Sequence, residues 1–115
     1  MGRREESVAY NETVFRKANE DLRDEWRRMG IERAAEALFI CECGDPACKR
    51  PMQLRLADYE AVREDPNTFA VVPGHEDKAT EQIVTDELVQ RNDRFAVVRK
   101  RVAFRQDTEA TDPRR

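Results

Sequence analysis

Residues 38–56 read L-F-I-C-E-C-G-D-P-A-C-K-R-P-M-Q-L-R-L, and this stretch decides the fold. Leu38-Phe39-Ile40-Cys41 is a short apolar run suited to a buried strand. Met52-Gln53-Leu54-Arg55-Leu56 alternates apolar and polar with the period of two that marks a strand with one wet face. Between them Gly44, Asp45 and Pro46 supply a tight turn. Strand, turn and strand predict a hairpin whose loop carries Cys41, Cys43 and Cys48.

These are the three cysteines of the chain, and its single histidine, His75, follows in V-V-P-G-H-E. Three thiolates and one imidazole make a complete tetrahedral shell for one Zn²⁺. The C-x-C spacing needs a bend. In a straight strand Cys41 and Cys43 share a face but stand roughly 6–7 Å apart along it. Gly44, directly after, makes the bend easy, and Cys48 returns through Asp45-Pro46 in a zinc-knuckle-like loop. Such a cluster carries a net charge of about -1. Lys49, Arg50 or backbone N–H groups directed at sulfur would offset it, and Glu76 or Asp77 would serve as carboxylate partner to His75. A shell of this kind is full, which implies a structural ion.

Two other readings stand beside zinc. Cys41 is a buried core thiol, with Cys43 and Cys48 incidental and His75 a turn residue; or the thiols serve an iron–sulfur or redox role. His75 is the ligand that decides, because it lies 27 residues beyond Cys48. Without it, Glu42, Asp45 or water takes the fourth place, and His75 competes as a general base near neutral pH.

Upstream, Val14, Ala18, Leu22, Trp26 and Met29 recur every three to four residues, with Phe15 widening the stripe. They predict a helix from an Asn11 N-cap to Gly30 in a left-handed C-terminal turn. Trp26 is expected as a core anchor. Arg16, Glu20, Arg23, Asp24, Arg27 and Arg28 read as the opposite, solvated face. Ile31–Ala37 predicts a second short helix or an extension of the first.

Downstream, residues 57–64 predict a short helix packing Tyr59 and Val62 inward, stopped by Asp65-Pro66-Asn67. Ala57 stands where a capping Ser or Thr is usual, leaving Glu60 without its reciprocal partner at a cost of about 1 kcal/mol. Phe69–Val72 predicts an extended piece, and Pro73-Gly74 turns the chain into His75. Ile83–Gln90 and Arg94–Val102 predict an antiparallel pair about Arg91-Asn92-Asp93. The fold expected is α+β: an N-terminal helix and a small, mostly antiparallel sheet with a short inserted helix and the ligand loop. Residues 1–10 are expected as a flexible N-terminus, 11–105 as one zinc-stabilised domain, and 106–115 as a disordered tail.

The chain has 115 residues, room for one compact domain, and 39% of them are charged. With 21 basic and 24 acidic residues intermixed, net charge -3, the balance gives no support for a general polyanion-binding surface and leaves room for a local patch. No apolar run is long enough for a membrane span, and no apolar signal segment follows the first residues. Three cysteines cannot all pair within one chain, which favours metal ligation by reduced thiols over a disulfide framework. A soluble cytoplasmic protein is the expectation.

From Phe39 onward the chain resembles a group of small, largely uncharacterised actinobacterial proteins. The pieces that carry the likeness are F-I-C-E-C-G-D-P-A-C, M-Q-L-R-L-A-D-Y-E-A-V-R, P-N-T-F-A-V-V-P-G-H-E and N-D-R-F-A-V-V-R-K. They span roughly residues 39–100, and the N-E-x-x-F-R-x-x-N-E segment at 11–20 is similar too. The resemblance implies that Cys41, Cys43, Cys48 and His75 act as one unit.

No phosphate-binding Gly loop, H-E-x-x-H or nucleophile elbow occurs, and a Cys43 nucleophile with His75 as base rests on composition alone. By elimination the chain reads as a non-catalytic domain that binds another protein, using its charged helix and short sheet edges. The alternative is nucleic-acid binding through Arg91, Arg94, Arg99, Lys100, Arg101 and Arg105, with Lys49 and Arg50 near the loop. Phe95 and Phe104 would then stack bases if exposed. A thiol-based redox sensor is a third reading.

Overall fold

The computed structural model describes residues 3–43, 48, 50–75, 86–100, 109–110 and 112–114; at 3–11, 86–87 and 100 it describes the backbone alone. The chain is α+β, in the order α1 (Arg3–Arg28), β1 (Glu36–Ile40), β2 (Pro51–Arg55), α2 (Leu56–Arg63), β3 (Thr68–Val71), β4 (Asp86–Arg91) and β5 (Ala96–Lys100). β1 and β2 form the expected antiparallel hairpin, with Phe39 opposite Met52 and Ala37 opposite Leu54. The other strands make a second antiparallel sheet in the order β3-β5-β4, with a bulge in β4 between Leu88 and Gln90. The strands thus divide into two small sheets. Ile83–Thr85 and 101–102, expected within the last pair, lie outside the described residues.

β5 runs between two cores. Val97, with Phe95 just before the strand, joins Phe39, Leu54, Tyr59 and Val62 on the side of the hairpin and α2. Ala96 and Val98 join Phe69, Val71, Cys41 and Cys43 on the other side. A strand turns successive side chains to opposite faces, so an unbroken apolar run is what a two-sided central strand requires.

α1 departs most from expectation. It begins at Arg3, so Asn11 lies inside the helix and is not its N-cap. Residues 3–10 contain no Gly or Pro to stop it, and Arg, Glu and Ala favour helix. Its buried face is also turned from the apolar stripe. Val14 and Met29 are 43% and 63% exposed, whereas Glu12, Phe15, Arg16, Asn19 and Glu20 are buried. The wall that α1 meets is polar. Arg16 donates to the Pro66 carbonyl, Asn19 grips Ile40, and Glu20 takes a hydrogen bond from Arg63 Nε at 2.8 Å. An apolar side chain there would strand those groups without partners, which costs more than exposing a valine. Trp26 sits at the core margin, half-buried, with Nε1 donating to the Leu38 carbonyl at 2.9 Å.

The helix ends as expected, by Gly30 at φ 82°. Gly30 N–H donates to Arg27 and Ile31 N–H to Trp26, each at 3.0 Å, in a Schellman arrangement. Residues 31–37, expected as a short helix or an extension of α1, form neither: a turn with Ala35 N–H on Glu32 O leads into β1. For α2 the N-cap is Arg55, and Ala57 lies inside the helix with its N–H donating to Arg33 O at 2.9 Å. With Arg55 as N-cap the N3 residue is Asp58, so Glu60, expected to lack a reciprocal capping partner, is outside the cap and pairs with Arg23 and Arg114.

The last described residues dock. Asp112 is buried against Arg63, Arg114 reaches Glu20 and Glu60, and Asn67 Nδ2 donates to Glu109 at 2.9 Å. A disordered tail is therefore not what stands at Glu109 and 112–114; complementary charge on both helices holds it. No helix among the described residues is long and apolar enough to cross a membrane.

Candidate metal centre

Three pieces of chain deliver four side chains to one point. Antiparallel pairing of β1 continues one step beyond the strand, where Cys41 N–H donates to Arg50 O at 2.8 Å. The chain then leaves strand geometry and bends at Cys43, as the C-x-C spacing demands. Cys48 lies on the return of the hairpin. His75 arrives from β3 through a turn in which its N–H donates to Val72 O at 2.9 Å and Gly74 has φ 94°. Pro at the second position and a left-handed Gly at the third make this a type II turn.

The sequence thereby places all four expected residues together. The ligand atoms of Cys41, Cys43, Cys48 and His75 all lie within 4.8 Å of one another, and among the described residues no other grouping of three or more such donors occurs. His75, the most distant of them in sequence, is 8% exposed. Its Nδ1 stands 3.5 Å from Cys41 Sγ and 3.4 Å from Cys48 Sγ. A tetrahedral ion with sulfur at about 2.3 Å and nitrogen at about 2.0–2.1 Å sets S···N separations of about 3.5 Å. The donors fit a metal ion in type, number and spacing.

Electrostatics agree with that fit. The Cys41 thiol is pushed far above its ordinary range, first by neighbouring Cys43 and then by burial. Cys48 rises too, chiefly through burial. Crowded thiols resist sharing several negative charges, and a divalent cation reverses the balance by deprotonating the sulfurs it binds. One expected compensation for the sulfur charge is in place: Val72 N–H points at Cys41 Sγ from 3.2 Å. Glu76, Asp77 and Lys49 lie outside the described residues.

Sequence reasoning missed Glu42. It is completely buried, and its carboxylate accepts from Asn19 Nδ2 at 2.8 Å, Ala70 N–H at 2.9 Å and Tyr59 Oη at 3.3 Å. Burial pushes its carboxyl upward, against the pull of the Asn19 and Ala70 donors. Tyr59 is itself held by stacking on Phe39, with ring centroids 4.5 Å apart. A signal existed for the helix side of this network. In N-E-x-x-F-R-x-x-N-E, residues 12, 15, 16, 19 and 20 share one helical face, and all are buried.

The basic cluster is differently disposed. Arg94 pairs with Glu36, Arg99 pairs with Asp65 at 3.2 Å, and Phe95 is buried. Arg101, Phe104, Arg105 and the Lys100 side chain lie outside the described residues. A cleft of about 340 Å³, lined by Asp58, Val62, Asp65, Val89 and Phe95 among others, includes none of the four ligands. No protein-family model matches the chain, and neither the curated proteins nor the solved structures contain a match.

Proposed function

We propose that the chain is a small zinc-stabilised, non-catalytic domain that works by binding another protein. The observation that carries the zinc reading is the convergence of Cys41, Cys43, Cys48 and His75, with ligand atoms within 4.8 Å of one another and only Cys48 more than slightly exposed. Soft thiolate and imidazole donors select zinc over magnesium or calcium, and an iron–sulfur cluster ordinarily takes four cysteines. Zinc, when bound, supplies a fixed tetrahedral junction between the hairpin loop and the turn after β3. Its shell leaves no position for a substrate, which is the support for a structural and not a catalytic ion. Thiolate ligands suit a reducing compartment such as the cytoplasm.

For the partner, β4 is the surface that supports the reading best. It lies at the end of its sheet, and Leu88 and Val89 are exposed on it. An edge strand with exposed apolar side chains is a template for an incoming strand or loop.

Zinc-to-protein stoichiometry after gel filtration tests the metal: one ion per chain is expected, falling in His75→Ala. A ratio near zero in the unaltered chain ends the zinc reading. A photo-crosslinking amino acid at Gln90 tests the surface in cells. A discrete protein adduct that disappears with Leu88→Asp is expected; no adduct, or one indifferent to that change, overturns it.

A further inference from the structure

Glu42 stands between two candidate ligands, yet points away from them. The Cys41 and Cys43 sulfurs turn to the cluster, while the side chain between them enters the core and meets three elements of the fold. Asn19 belongs to α1, Tyr59 to α2 and Ala70 to β3. Ala70 is engaged twice, because Glu42 N–H also donates to Ala70 O at 2.9 Å. Together with Val72 N–H on Cys41 Sγ, these bonds occupy the outer edge of β3. The ligand segment takes the place of a neighbouring strand.

The partners of Glu42 are themselves fixed. Asn19 Oδ1 accepts from Ile40 N–H and its Nδ2 donates to Ile40 O, both at 2.8 Å. That two-point grip sets the orientation of the amide, so a donor faces Glu42. A carboxylate offers two acceptor oxygens to the donors of Asn19, Ala70 and Tyr59. A glutamine has one such oxygen and would bring an NH₂ against one of them.

We propose that Glu42 is the positioning residue of the metal centre: its anchored carboxylate holds Cys41 and Cys43 in their bent, convergent arrangement before the ion arrives. The inference rests on the metal reading above and adds to it the reason the spacing is C-E-C. A regular strand would set the two sulfurs too far apart. Something must hold the bend, and Glu42 is tied to the rest of the molecule on both sides of it. A metal whose ligands are oriented in advance binds without the cost of ordering them.

Co²⁺ titration of the full-length apo chain, followed by thiolate-to-cobalt charge-transfer and d–d absorption, tests this. The measurement is made at a temperature where each apo variant is folded by circular dichroism. Glu42→Gln is expected to weaken Co²⁺ binding on the order of 10–100-fold and to shift the d–d bands. Tyr59→Phe, which keeps the ring, should weaken it by about two- to tenfold. Leu54→Ala, a cavity in the other core, should leave affinity and spectrum unchanged although it costs more stability. If Glu42→Gln does not fold without metal, Tyr59→Phe against Leu54→Ala decides. Absence of a thiolate band in the unaltered chain overturns the metal reading itself. A normal band there, with affinity and spectrum unchanged in Glu42→Gln and Tyr59→Phe, overturns the positioning role alone.

Discussion

Asn19 and Glu20 are neighbours on α1, and they lead into two polar centres built on opposite terms. Through Ile40 and Glu42, Asn19 leads to the cysteine–histidine cluster, whose four groups could all ligate a metal ion. Glu20 enters a clasp that the chain completes by itself. There Glu20, Glu60 and Asp112 meet Arg23, Arg63 and Arg114, three acids against three bases. Buried charge persists only where its complement is present. One centre finds the complement along the chain; on the zinc reading proposed above, the other takes it from solution, so the two should fail under different insults.

The sharpest separation is expected from metal removal. A chelator should lower stability by about 5 kcal/mol or more, as a ligand bound far above its dissociation constant adds RT ln([L]/Kd). Thermal melting with and without chelator measures it, and Cys43→Ser should reproduce the chelated value. Equal melting curves would show that the cluster contributes nothing to the fold.

On the other side, Arg63→Ala takes the cation from buried Asp112 and leaves Glu20 with Arg114 in place of two strong guanidinium partners. A loss of about 3–5 kcal/mol is expected by urea denaturation. Zinc affinity should hold within a factor of two. A large fall in affinity would mean that the two centres are one cooperative unit.

Acid should act on the clasp through a definite sign. Burial alone would raise the Glu20 and Glu60 carboxyls, but hydrogen bonds from Arg114, joined by Arg63 at Glu20 and Arg23 at Glu60, leave both below their ordinary value. A depressed folded value contributes stability above the unfolded value of about 4.3, lost as pH falls through the folded one. Apo protein should therefore weaken below about pH 4, and Arg114→Ala should flatten that limb. A pH series in chelator reads this without interference from metal loss.

Smaller effects test the joints. Gly74→Ala meets no atom within 4 Å and is opposed only by its φ of 94°, so about 1–2 kcal/mol is expected by melting. Lys17→Ala breaks an exposed pair with Asp21 and should leave both melting and zinc affinity unchanged.

Much of the cluster was legible because each of its signals is local. Period-two alternation marked the hairpin, Pro73-Gly74 demanded the type II turn, and four soft donors in one small chain predicted their meeting. Gly30 ended α1 for the same reason: a left-handed residue announces itself. The clasp was illegible. Glu20 and Arg23 look like surface residues, since charge ordinarily stays in water, and nothing near them in sequence names Glu60, Arg63 or Arg114. Arg16, which meets Pro66, was hidden in the same way. Glu42 was hidden for a like reason. A carboxylate in a ligand loop reads as solvent-facing or as a spare ligand, and its donors come from residues 19, 59 and 70.

By itself the sequence determined the α+β composition, the hairpin, the helix stop and the identity of the four residues that cluster. Backbone preferences and ligand chemistry are properties of residues and short spacings. Only the tertiary structure decided which face of α1 is buried, where residues 112–114 dock, and that Glu42 faces inward. Those outcomes depend on which polar groups meet after the chain has closed on itself. The desolvation cost that selects among them exists only then.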